Sequence, residues 1–171
     1  MLRWGLVPYW SKDGKAGYST INAKSETVAV SALYREAFQR RRCLVPASGF
    51  YEWKKLDAKR KQPYAIQVKD APICALAGLW ETWRDKATHQ TLETYTIITT
   101  APNELTAAIH DRMPVILPGK DYARWLAPFD PARPPLDLLR PYPAEEMVAW
   151  KVGAGVGNPR NDSAELLREC A

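Results

Sequence analysis

The chain is 171 residues long, 46% hydrophobic and 25% charged, with a net charge of +5. That length and apolar content predict one domain with a proper core, and the lack of any run of about 18 apolar residues excludes a membrane-spanning helix. The start, Met1-Leu2-Arg3-Trp4-Gly5, has no apolar stretch after a basic opening and so is not a signal peptide. The cysteines Cys43, Cys74 and Cys170 are odd in number, and their spacing suits neither a zinc site nor a disulfide framework. Cys43 and Cys74 sit in apolar runs and read as buried thiols in a reducing, cytoplasmic compartment. The charge is uneven: residues 1–62 hold 13 Lys/Arg against 5 Asp/Glu, and the remainder 11 against 14. A basic first third points to an acidic partner, nucleic acid first, with a solvated basic face as the plain alternative.

Leu2–Val7 reads as a short strand ended by Pro8, in a stretch made aromatic by Trp4, Tyr9 and Trp10. Ser11–Ser19 is a polar loop. Ser31–Arg42 reads as a helix, because Leu33, Ala37 and Phe38 recur at helical spacing among basic residues. Cys43–Pro46 and Phe50–Lys54 are strand-like and joined by the turn Ala47-Ser48-Gly49. Tyr64–Val68 alternates as a strand, and the basic linker before it suits a hairpin. Ile73–Leu79 and Glu93–Thr99 are further strands with the polar stretch Trp83–Gln90 as the loop between them. Pro102-Asn103-Glu104 opens a helix reaching about Ile109. Met113–Leu117 is a strand and Asp121–Leu126 a short helix. The proline-rich Pro128–Pro143 cannot hold a long helix and reads as an extended surface connection. Met147–Val152 is the last strand, followed by the loop Gly153–Asp162. Strands interspersed with short helices, without regular βαβ alternation, predict an α+β fold on a mixed, mostly antiparallel barrel-like sheet.

Three polar residues carry potential chemistry. Glu52 stands in a strand between Tyr51 and Trp53 and shares a face with Phe50 and Lys54. Burial would raise its carboxyl pKa while Lys54 would pull it down, and a raised carboxyl suits proton transfer near neutral pH. A Glu–Lys pair on a wet face is the plain reading. His110 ends a helix ahead of Asp111-Arg112-Met113-Pro114; a helix C-terminus and an aspartate both favour imidazolium, and Arg112 is suited to clamping phosphate. Helix capping is the plain reading of His110. Asn22 lies in Ile21-Asn22-Ala23-Lys24, where an asparagine ordinarily bonds its own backbone. His89 lies in a polar loop and is surface. Gly153-Ala154-Gly155-Val156-Gly157 has dinucleotide-loop glycines, but no long helix follows and Asn158-Pro159 breaks the chain, so no nucleotide site is expected. Glu52-Trp53-Lys54 also fits the acid-x-lysine element of metal-dependent nucleases, with Asp13 or Glu26 as the second acid; this is the remote alternative.

Four segments in order change the weighting. Arg3–Trp10, Asn22–Thr27, Arg42–Trp53 and Ile109–Pro114 resemble the SOS response-associated peptidase (SRAP) family in sequence and spacing, and Val156–Asp162 matches its last motif more loosely. The resemblance runs essentially the full length and implies an α+β domain with a basic groove for single-stranded DNA. It implies recognition of abasic sites in single strands, an autoproteolytic step and a covalent protein–DNA link. In that family the α-amine of an N-terminal cysteine forms a Schiff base with the ring-opened sugar aldehyde, and its thiol closes a thiazolidine. An α-amine with a pKa of about 7.7–8.0 is nucleophilic at ordinary pH.

Carried over by position, Glu52 would move protons, His110 would assist ring opening and Asn22 would hydrogen-bond the sugar. Lys24, where many members have arginine, and Arg112 would contact phosphate; Trp10 and Trp53 would stack on or wedge bases. No metal or cofactor is implied, nor a membrane, and the expected state is a monomer. The family's opening segment, with cysteine directly after methionine, has no counterpart: position 2 is Leu2. The expectation is therefore a single domain over residues 1–171, truncated at its start and unable to crosslink as written. A catalytically inactive module for single-stranded or modified-base DNA is the main alternative.

Overall fold

The computed structural model describes residues 2–14 and 20–170. Part of the expected Ser11–Ser19 loop, residues 15–19, lies outside the described residues. The strands are β1 (Arg3–Trp4), β2 (Asn22–Lys24), β3 (Arg42–Ala47), β4 (Phe50–Lys55), β5 (Lys61–Val68), β6 (Cys74–Arg84), β7 (Thr91–Thr100), β8 (Met113–Pro114), β9 (Ile116–Leu117) and β10 (Met147–Lys151). The helices are short: α1 (Arg35–Arg40), α2 (Glu104–Ala107) and α3 (Tyr122–Leu126). The chain divides into two compact units, one from residues 1–45, 75–100 and 114–140, the other from 46–74, 101–113 and 141–171.

The first unit is built on a seven-stranded sheet with the order β1-β7-β6-β3, where β2 and β8 also pair with β7 and β9 with β6. The sheet is mixed: β1 and β2 follow one another in parallel beside β7, with Trp4 opposite Tyr95 and Asn22 opposite Ile97. The long hairpin β6–β7 is antiparallel. The expected barrel does not form, since strand order describes two open sheets among the described residues.

Alternation along β6 and β7 decides what each face does. Ala77, Leu79, Thr96 and Ile98 point into a core completed by Leu6, Val28, Phe38, Val115, Leu117 and Trp125. Burying each aliphatic side chain of this kind contributes about 1.5–3 kcal/mol. Trp80, Tyr95 and Ile97 lie on the other face, with Tyr95 between Trp80 and Trp4 and Ile97 between Gly78 and Asn22.

Several elements differ from their sequence-based outlines for identifiable reasons. The expected strand Leu2–Val7 shrinks to β1 because Gly5, at φ 110°, turns the chain and sends Leu6 and Val7 into the core, each 1% exposed. The helix expected over Ser31–Arg42 holds only in α1; turns occupy 32–34, and Arg42 begins β3. The strand at Met113–Leu117 breaks at Val115, whose N–H bonds Ile98 O while its carbonyl accepts from Ala77, so it bridges two strands rather than extending one. The 83–90 loop is shorter than expected, since β6 continues to Arg84 and β7 starts at Thr91. The stretch 128–143 is not merely a surface connection: a 3₁₀ turn at Leu136–Leu138 delivers Leu138 and Leu139 into the first unit's core.

The second unit carries a three-stranded antiparallel sheet, β10-β5-β4. The hairpin expected from the basic linker forms, with Lys55 opposite Lys61 and the Asp57 carboxylate accepting the Lys59 and Arg60 N–H groups. β3 and β4 are joined at Ser48-Gly49 as expected, but they pair in different sheets, β3 with β6 and β4 with β5. Gly49 is needed there, since a Cβ would sit 2.6 Å from the Ile66 carbonyl oxygen. Gly49→Ala is expected to cost about 1–3 kcal/mol in urea unfolding by forcing β4 away from β5. α2 is half the expected length, but Asn103 caps it, its side chain accepting the Thr106 N–H at 2.9 Å and donating to Tyr142 O at 2.7 Å.

Candidate active site

β4 and the segment after α2 bring three of the expected residues together in the second unit. The Glu52 carboxylate stands 3.9 Å from His110 Nδ1, with the two side chains 21% and 40% exposed. His110 does not end the helix as expected but follows it, since α2 stops at Ala107; its N–H still reaches back to Thr106 O at 2.8 Å. Its ring is held from below by its own loop: the Arg112 N–H donates to Nδ1 at 3.1 Å, and Asp111 Oδ1 lies 3.2 Å from the same nitrogen.

These contacts describe two protonation states. A neutral ring that accepts the Arg112 N–H at Nδ1 must carry its hydrogen on Nε2. A ring protonated at Nδ1 loses that acceptor but gains Asp111 and Glu52 as anionic partners. Each state therefore has a ready partner, which is what a group that takes up and returns a proton requires.

Burial pushes the Glu52 carboxyl above its ordinary range. His110 and the Trp53 N–H pull it down less strongly, and Asp111 adds a further upward push. The sequence pointed to Lys54 as the opposing charge; His110 fills that place. Glu52 and His110 are too far apart for a direct hydrogen bond, yet one oxygen atom can reach both. The arrangement can move a proton onto or off a bound oxygen.

Asn22 and Lys24 belong to the first unit. Both are exposed on β2, on the sheet face away from the core, opposite Ile97 and Thr99. The Asn22 carbonyl accepts from the Tyr34 hydroxyl, so the backbone is anchored and the side chain projects. Trp10 is 53% exposed in the loop before Gly14. Trp53 is exposed in β4 opposite Pro63, on the other face of the strand from Glu52. Arg112 is half-buried beside His110.

Among the cysteines, Cys74 is buried as expected, while Cys43 is half-buried with its thiol pushed up to about 11 by burial. Neither is a ready nucleophile at neutral pH. Among the described residues, no three of His, Cys, Asp and Glu gather as a metal site, and no helix is long and apolar enough to cross a membrane.

Part of the basic first third is consumed internally, which its charge pattern does not reveal. Arg41 pairs with buried Glu81 at 2.8 Å. Arg42 is 9% exposed and donates to the carbonyls of Phe38, Gln39, Trp125 and Ala127. Only their adjacency to a strand of apolar residues hinted at it.

In the second unit this α+β chain brings a carboxyl raised by burial, an imidazole and an arginine side by side. Residues 1–159 match the family described as "SOS response associated peptidase (SRAP)". The chain is 48% identical to abasic site processing protein YoaM of Bacillus subtilis (strain 168) over 169 residues, 97% of this chain and 73% of that one. It is 33% identical to abasic site processing protein HMCES of Xenopus tropicalis, covering 97% of this chain and 56% of that protein. A crystal structure of a protein from Bacteroides thetaiotaomicron superposes with a TM-score of 0.89 at 33% identity, covering 99% of this chain and 76% of the other. The chain belongs to the SRAP family.

Proposed function

We propose that this protein processes abasic sites in single-stranded DNA, as a single domain that needs no metal and no second subunit. The Glu52–His110 pair carries the reading: a carboxyl raised by burial, 3.9 Å from an imidazole that has a partner in either protonation state. The names of similar proteins support it.

The abasic sugar exists as a cyclic hemiacetal in equilibrium with its aldehyde. Opening it needs a proton removed from one oxygen and delivered to another, the task assigned to His110 and Glu52. An amine then adds to the aldehyde, and loss of water from the carbinolamine needs an acid at the departing oxygen, again Glu52. Asn22 binds the sugar, Lys24 and Arg112 hold flanking phosphates, and Trp10 and Trp53 contact bases. The amine in this chemistry is an N-terminal cysteine, whose thiol closes the thiazolidine; Cys43, Cys74 and Cys170 are internal and supply no α-amine.

A second reading is a non-covalent module for single-stranded or modified-base DNA. Both readings require binding to single strands. A labelled single strand containing a tetrahydrofuran abasic analogue should bind with an affinity that falls steeply with salt, by a log–log slope of about 0.7 for each phosphate neutralised. The processing reading further requires tighter binding than to the same strand without the lesion. Salt-independent binding, or none, sinks both; equal binding to the two strands leaves only the second.

A further inference from the structure

The first unit contains a groove of about 460 Å³ between the loop at Trp10–Gly14 and the tip of the β6–β7 hairpin. Its walls carry an unusual mixture. Trp10 is largely exposed, and Trp83 is half-buried with its indole N–H donating to Ser11 O at 2.9 Å, which fixes the ring. Gly14 lies so close to Trp83 that a Cβ would stand 2.8 Å from the ring, so the loop is laid flat on an aromatic face.

Around these rings stand Lys12, Arg84 and Lys86, all exposed and making no ion pair among the described residues. Asp13 and Asp85 also line the groove, leaving three cations against two acids, and the Asp85 carboxylate is engaged by the hairpin turn, accepting the Ala87 N–H at 2.7 Å and the Thr88 N–H at 3.0 Å. One fixed indole face and one exposed indole, with cations beside them, suit stacked bases with phosphates alongside. A duplex, whose bases are already stacked, has no face to offer these rings.

We propose that this groove is a lesion-independent subsite for single-stranded DNA, in which Trp10 and Trp83 stack bases and Lys12, Arg84 and Lys86 neutralise phosphates. The inference rests on the reading of the protein as a single-strand binder and adds a site that the proton-transfer residues do not include. It makes general strand affinity separable from lesion preference.

The test is fluorescence anisotropy on the whole chain with a strand of about 15 nucleotides, either plain or carrying one tetrahydrofuran, and with the matching duplex. Arg84→Glu/Lys86→Glu should weaken both single strands by the same factor, about tenfold or more, and lower the salt slope by roughly 1–2, leaving the lesion-to-plain ratio unchanged. Trp10→Ala should weaken both by about 5- to 100-fold with little change in slope. Lys120→Glu/Arg133→Glu, an equal charge change on exposed residues elsewhere in the unit, should have the smaller effect. The inference is overturned if the two double reversals weaken binding equally, if Trp10→Ala is neutral, or if duplex binds as well as single strand. No binding by the unmodified chain removes the functional reading along with it, whereas strand binding indifferent to Arg84→Glu/Lys86→Glu removes the inference alone.

Discussion

Glu52→Gln should slow thiazolidine formation on an abasic strand by about 10²- to 10⁴-fold, the usual contribution of a positioned acid–base group. The measurement supplies free cysteine as the nucleophile with the whole chain and an abasic oligonucleotide, and follows the adduct on the DNA. Glutamine keeps the shape and hydrogen-bonding capacity of the side chain but can neither release nor accept the proton. His110→Ala should also lose rate, and the double variant should lose little more than the worse single, since the two groups act on one oxygen and such effects are not additive. If Glu52→Gln retains parental rate while still binding the strand, the proton-transfer role is wrong.

The same substitution has an opposite effect on stability. Burial raises the Glu52 carboxyl above its unfolded value. The folded state then binds that proton more tightly, a contribution fully present below the ordinary carboxylate value of about 4.3 and lost as pH rises through the raised one. Near neutral pH the parent carries the cost of a partly buried carboxylate that glutamine avoids. Glu52→Gln should therefore melt higher than the parent at pH 7, with the gap closing in acid. A residue whose removal stabilises the fold while removing activity is one kept for its chemistry.

Arg42→Met should cost about 3–5 kcal/mol, the largest stability loss expected from a single substitution away from the apolar core. The guanidinium fork caps two helices at once. Nη1 donates to Phe38 O at 2.6 Å and Gln39 O at 3.0 Å at the end of α1, Nε donates to Trp125 O at 2.6 Å, and Nη2 bonds Ala127 O beyond α3. Its carbon also lies 4.4 Å from the centre of the Phe129 ring. The countercharge is not a carboxylate but the negative ends of two helices, together with the ring face. Methionine preserves the stem and most of the volume, so the loss isolates the donors: carbonyls left without a partner cost about 1–3 kcal/mol each where water cannot replace it. Lysine should rescue only in part, because one ammonium cannot span four acceptors held on two elements. Urea unfolding of the three proteins decides this; an Arg42→Met chain within about 0.5 kcal/mol of the parent would contradict the capping account.

Local pattern was enough to outline most strands. The hairpin β4–β5 was legible because its two runs alternate on either side of a short basic turn, and β10 because it stands alone between proline and glycine. Glu52 was legible as a candidate because a carboxylate within an aromatic strand is a poor choice for packing alone, and the motif around it resembles a family. The division of the strands between two open sheets was not legible, although β3 and β4 are neighbours in sequence and differ in composition, aliphatic RCLVPA against aromatic and charged FYEWKK. What separates them is which distant strand each pairs with, and pairing partners lie outside any local window.

Strand periodicity, punctuation by proline and glycine, and family membership are written in residues close together or in ordered motifs. Which charges remain available depends on contacts between distant parts of the chain. Arg42 looks like an ordinary surface ion in a local reading, yet folding buries it among helix carbonyls, and folding sets His110 rather than Lys54 beside Glu52. The physical reason is that the cost of a charge depends on its surroundings: desolvation and partnering are supplied by residues far along the chain, and they decide whether a charged group holds the fold together or moves a proton.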